Sequence, residues 1–110
     1  MTKIRYHDGD ISAADAARYT DAIAIDTETL GLVPRRDRLC VVQLSPGDGT
    51  ADVIRIAAGQ AQAPNLVAML ADPARVKIFH YGRFDIAVLF HTFGVTTTGV
   101  SATGAGAGAT

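Results

Sequence analysis

Residues 22–32, AIAIDTETLGL, hold the acids whose type and spacing suit chemistry. Four apolar residues, Ala22, Ile23, Ala24 and Ile25, read as a fully buried strand and run into Asp26, Thr27 and Glu28. Side chains alternate faces along a strand, so Asp26 and Glu28 share a face, roughly 6.5–7 Å apart along the backbone. Two carboxylates so placed repel one another unless a cation lies between them, and a hard divalent metal ion is the simplest such cation. A solvated strand end is the plain alternative. A third carboxylate, Asp85, projects from the first turn of an expected helix, where an acid also favours the helix dipole. Thr29, Leu30 and Gly31 turn the chain away from the strand, with Gly31 free to take a positive φ, so the acidic pair sits at a strand end, where open sheets place their sites.

The elements that must position these acids read off in order. Residues 1–10 are polar, with Ile4 and Tyr6 as anchors, and predict an irregular or edge segment. Ser12, with Asp15 three residues on, starts an alanine-rich helix expected to reach Tyr19. The first strand covers 22–27. A loop at 33–38 carries Arg35, Arg36 and Arg38; these suit phosphate groups, although a charged loop is more often simply solvated. LCVVQL at 39–44 is apolar on both faces and predicts a central strand, with Cys40 in the core. Turn residues at 45–50 are followed by a strand at 52–56, so the second and third strands form an antiparallel hairpin. Pro64 opens a helix over 65–71 that stops at Asp72-Pro73, and VKIF at 76–79 is a fourth strand suited to parallel pairing by crossover. Gly82 opens the helix carrying Phe84, Asp85, Ala87, Val88 and His91. The order predicts an α/β fold with a mixed sheet of three antiparallel strands and then a parallel strand, with flanking helices.

From Thr96 the composition collapses to Thr, Gly, Ala, Val and Ser. With no periodic apolar pattern, 96–110 reads as a low-complexity, disordered tail behind a domain at 1–95.

Composition narrows the function. The 110 residues are 48% hydrophobic and 19% charged, with net charge −1, so there is no broad basic field for duplex nucleic acid and any nucleic-acid partner must be held locally. One cysteine excludes an internal disulfide and a cysteine zinc site. There is no run long enough to span a bilayer and no leader-like segment, so the expectation is a cytoplasmic protein with no membrane partner.

At DTETLGL, RLCVVQLS and VKIFHYGRFDIAVL the chain resembles the ribonuclease D branch of the DEDD 3′-5′ exonucleases, over about residues 20–95. The family's Asp-x-Glu is matched by Asp26 and Glu28, and its helix aspartate by Asp85. The resemblance implies a ribonuclease H-like fold, two ions of Mg²⁺ or Mn²⁺, and hydrolysis of single-stranded RNA or other nucleic acid from the 3′ end. Asp26 would contact both ions, Glu28 the nucleophile-side ion and Asp85 the other. Thr27, Thr29 and Leu30 fall where the family contacts the terminal nucleotide, and Arg83 adjoins the helix aspartate; His80 and Tyr81 read mainly as structural. The third family motif, a Tyr or His ahead of a final Asp, has no counterpart, since Asp85 is the last acid in the sequence. The sequence thus resembles the front part of such a nuclease, C-terminally truncated, and weak or absent activity is expected. The competing expectation is a non-catalytic remnant that binds nucleic acid or a partner chain.

Overall fold

The computed structural model describes residues 3–80 and 82–103. In order, the chain forms β1 (Lys3–Asp8), α1 (Ala13–Ala16), β2 (Ala22–Thr29), β3 (Leu39–Ser45), β4 (Thr50–Arg55), α2 (Pro64–Ala71), β5 (Val76–His80), α3 (Gly82–Phe93) and β6 (Val100–Thr103). The strands make one six-stranded sheet ordered β1-β4-β3-β2-β5-β6. β2, β3 and β4 are the antiparallel trio expected from the sequence, and β5 joins β2 in parallel. Two parallel edge strands were not expected as such: β1 pairs with β4, and β6 pairs with β5.

The apolar positions explain the layering. Ile23, Ile25, Val42, Leu44, Ile54 and Phe79 come from one face of the sheet and form a single core with Leu66, Met69 and Leu70 of α2 and Val88 and Leu89 of α3. The alternate positions are open: Ala24, Asp26 and Glu28 on β2 are exposed, as are Val76, Ile78 and His80 on β5. The first strand is therefore buried on one face, not on both. Alanine at 24 tolerates either environment, so four apolar residues in a row did not reveal the alternation.

Two further expectations are corrected, and Gly31 does not use its conformational freedom. α1 is a single turn, capped by Ser12 Oγ accepting from the Asp15 N–H at 3.1 Å; it ends before Tyr19, whose ring is fully buried and whose hydroxyl donates to Asp52. Gly31 is not at positive φ; a Cβ there would collide with the Asp37 carboxylate, so close approach, and not backbone freedom, suits glycine to this turn. Cys40 is half-buried where the β2–β3 register shifts between Glu28 and Thr29, not in the core.

The segment expected to be disordered departs furthest from its composition. Residues 96–103 pass under α2 and enter the sheet: the Thr98 N–H and hydroxyl donate to the carbonyls of Leu70 and Ala71 at 3.0 and 2.8 Å, closing the C-terminal end of α2. Gly99, at φ +68°, then lets the chain pass the Arg75 and Pro73 carbonyls, and its own carbonyl accepts from the Lys77 N–H at 2.9 Å. Backbone hydrogen bonds hold this piece, so hydrophobic periodicity could not announce it. Residues 104–110 lie outside the described residues.

A buried charge network ties the first edge. Asp52 on β4 is fully buried and accepts from Arg5 Nε and Nη2 of β1 at 2.9 and 3.0 Å and from the Tyr19 hydroxyl at 2.6 Å; His7 Nε2 lies at 2.8 Å. Burial works to raise the Asp52 pKa, but the hydrogen bonds from Tyr19, His7 and Arg5 outweigh it and hold the carboxyl below its ordinary value.

Candidate active site

β2 presents Asp26 and Glu28 at the end of its open face, and α3 presents Asp85 in its first turn. Thr27, between the two strand acids, points the other way and is half-buried. Its hydroxyl donates to Asp85 Oδ1, while its N–H donates to Asp26 Oδ1 at 3.0 Å, so one threonine ties the strand acid to the helix acid. Asp85 is buried, and its carboxyl is pushed up to about 6: burial is the main cause, the charges of Asp26 and Glu28 add to it, and the Thr27 hydrogen bond opposes it. No ion pair reaches Asp26, Glu28 or Asp85 among the described residues. The site is thus a set of oxygen donors whose mutual repulsion a hard divalent cation would relieve, which fits Mg²⁺ or Mn²⁺.

The three carboxylates do not themselves converge on one point. Among the described residues, the acids and imidazoles whose ligand atoms all lie within 4.8 Å are His7, Asp15 and Asp52, at the far edge of the sheet. Arg5 already occupies that cluster, 2.9 Å from Asp52 and 3.4 Å from Asp15, which neutralises it without a metal.

Other residues expected at the site are scattered. The Thr29 hydroxyl donates to the Gly31 carbonyl within the turn. Leu30 is 71% exposed, an apolar side chain standing in solvent directly after the acids, with Leu32 and Val33 also exposed. Arg83 is exposed and lines a separate apolar cleft with Ile86, Phe90 and Val95, apart from Asp26. Tyr81 lies outside the described residues. Beside Asp26 stand His80, read mainly as structural from the sequence, and Gln43, Ser45 and Ile78, which sequence reasoning passed over; they line a basin of about 360 Å³ with Ala24 and Asp26. The antiparallel register puts Gln43 opposite Asp26 and Ser45 opposite Ala24, and the polar residues of VQLS were the available signal.

The sequence profile of the 3′-5′ exonuclease family matches residues 9–109 of this chain. The chain is a member of the 3′-5′ exonuclease family. Within it, the chain is 38% identical to ribonuclease D of Gluconacetobacter diazotrophicus over 72 residues, which are 66% of this chain and 18% of that protein. Its fold superposes on a structure described as the apo form of a nuclease with TM-score 0.91 and 86% identity, covering 94% of this chain and 50% of that one. The NrnC structure from Brucella melitensis superposes with TM-score 0.87 and 62% identity, over 93% of this chain and 49% of NrnC; NrnC is also known with bound Mg²⁺ and bound to pGG. The chain therefore spans about half the length of these nuclease structures and under a fifth of the curated ribonuclease D. The family match runs through the threonine and glycine segment, in keeping with β6 as part of the sheet.

Proposed function

We propose that this chain forms the part of a 3′-5′ exonuclease that carries the Asp-x-Glu and helix-aspartate positions, acting on the 3′ ends of single-stranded RNA or related nucleic acid in the cytoplasm. The observation that carries the reading is the set of acids Asp26, Glu28 and Asp85, with Asp26 and Asp85 joined through Thr27, in a chain that the 3′-5′ exonuclease profile covers from residue 9 to 109. Two ions of Mg²⁺ or Mn²⁺ would be held by these carboxylates, Asp26 contacting both, and would supply Lewis-acid charge at the phosphoryl oxygens and a more acidic attacking water. The Mg²⁺ and pGG found with NrnC support the metal and the short nucleic-acid ligand. Thr27 holds Asp85 in place from within the fold. Leu30 abuts the terminal base, Thr29 shapes the turn that presents it, and Arg83 meets the phosphate chain beyond Asp85. The exonuclease portion extends past residue 95 to include β6. Because no acid follows Asp85, these 110 residues by themselves work slowly.

The test is incubation of the purified chain with 5′-labelled single-stranded RNA in Mg²⁺ or Mn²⁺, beside Asp26→Ala and an EDTA control. Stepwise shortening from the 3′ end that requires both the metal and Asp26 is the expected result. A folded chain that never shortens RNA would refute the activity for these residues and favour a nucleic-acid-binding remnant.

A further inference from the structure

Three arginines gather on the loop that follows the acidic strand. A cleft of about 220 Å³ opens between the loop after β2, the segment following β4 and the last turn of α3, and Arg35, Arg36, Arg38, Gln60 and His91 line it. The carboxylate in its wall, Asp37, is already committed: it takes Arg36 Nε and Nη2 at 3.0 Å each and the Val33 N–H at 3.0 Å. Arg38 is held by one corner only. Its Nη1 donates to the Leu39 and Ile56 carbonyls at 3.2 and 2.9 Å, while Nε and Nη2 make no hydrogen bond among the described residues. Arg35 is exposed and has neither hydrogen bond nor ion pair among the described residues. The cleft therefore keeps two uncommitted guanidinium groups, one of them oriented in advance, and a planar fork of N–H donors matches the oxygens of a phosphate.

The cleft is built on the elements that carry the acids. Leu39 in its wall pairs with Thr29 at the end of β2, and the Leu30 N–H donates to the Arg38 carbonyl at 3.1 Å. His91 follows Asp85 along α3 by six residues, about 9 Å of helix. A strand whose end lay at the carboxylates would need cations a short distance away, because the chain has net charge −1 and the site itself is acidic.

We propose that this cleft is a backbone-phosphate subsite in which Arg35 and Arg38 bind an internal phosphodiester of a single-stranded nucleic acid, upstream of the bond nearest the acids. The assignment rests on the nuclease reading and deepens it: the carboxylates act at the strand's end, and the arginine cleft sets where the rest of the strand runs.

The experiment is fluorescence anisotropy of the full chain with a labelled single-stranded RNA decamer in EDTA, across a range of NaCl concentrations. Arg35 makes no contact that folding needs, so Arg35→Glu tests the cleft with the fold intact; Arg38→Lys keeps the charge and loses the fork. Arg55→Ala, which breaks the exposed pair with Asp8, is the control. Arg35→Glu is expected to weaken binding on the order of fivefold and to reduce the slope of log K against log salt by about 0.7, the value of one single-strand phosphate contact, with Arg35→Lys restoring both. Arg38→Lys is expected to weaken binding with the slope unchanged. A slope for Arg35→Glu equal to wild type, or a wild type that binds no decamer, overturns the subsite. So does a loss confined to RNA bearing a 5′-phosphate, which would assign the cleft to a terminal group. Failure here and failure of the nuclease reading are separable: a failed binding test beside wild type that still shortens RNA in Mg²⁺ refutes only the cleft, whereas no shortening refutes the nuclease reading whatever the slopes.

Discussion

Thr27, expected at the substrate, donates its N–H to Asp26 Oδ1 and its hydroxyl to Asp85 Oδ1, so it ties the strand acid to the helix acid. If Asp85 holds a metal as proposed, a residue that orients it affects metal affinity more than fold, so Thr27→Val should weaken Mg²⁺ binding roughly tenfold in calorimetry, with Thr27→Ser restoring it. Unchanged Mg²⁺ affinity in Thr27→Val would argue that the hydrogen bond is incidental. Asp85 makes a pH prediction. Its folded pKa, about 6, lies above the ordinary 3.8. The stability from its protonated form is therefore full below about pH 4 and lost as pH rises through 6. In EDTA, the melting temperature should fall between pH 5 and 7.5 in wild type and fall less in Asp85→Asn.

At the level of elements, β6 is the informative case, because an edge strand of Val100, Ser101, Ala102 and Thr103 has little composition to recommend it. Its register depends on Gly99, where positive φ and the nearby carbonyls leave no room: a Cβ would lie 2.9 Å from the Arg75 oxygen and 3.3 Å from that of Pro73. Gly99→Ala should therefore cost about 2–3 kcal/mol in urea unfolding. Gly94→Ala has similar φ (+70°) but nothing within 4 Å of the added atom, and should cost about 1 kcal/mol. Equal costs at the two sites would show that β6 is not held against the loop at 73–75.

For the molecule as a whole, the buried Asp52 network joins β1 to the central sheet across 45 or more residues of sequence, and the segment after α1, through Tyr19, across 33. Breaking a buried ion pair from one side leaves the other charge stranded, so Asp52→Asn should destabilise the protein by about 3 kcal/mol. Because the Asp52 pKa lies below 3.8 in the folded state, its contribution is complete above about pH 4 and lost as pH falls through the lower, folded value. Acid unfolding of wild type should steepen there, and Asp52→Asn should lack that steep limb. The same scale shows the sheet's open face, which carries the exposed side chains of Tyr6 (76% exposed), Ile4, Val76 and Ile78.

The sequence by itself determined the acids and the middle of the sheet. Asp26 and Glu28 share a face because strands have period two, and the short linker after LCVVQL forces a hairpin, both of which are local consequences of covalent geometry. Pro64 and Gly82 placed the helix starts for equally local reasons. Tertiary structure alone decided the rest. It turned Thr27 inward onto Asp85, 58 residues away; it gave Tyr19 and Arg5 a common buried partner in Asp52; and it recruited a threonine and glycine segment as a strand. Each of these depends on hydrogen bonds between groups distant in sequence. Such bonds carry no periodicity and become visible only when the sheet brings their donors and acceptors together.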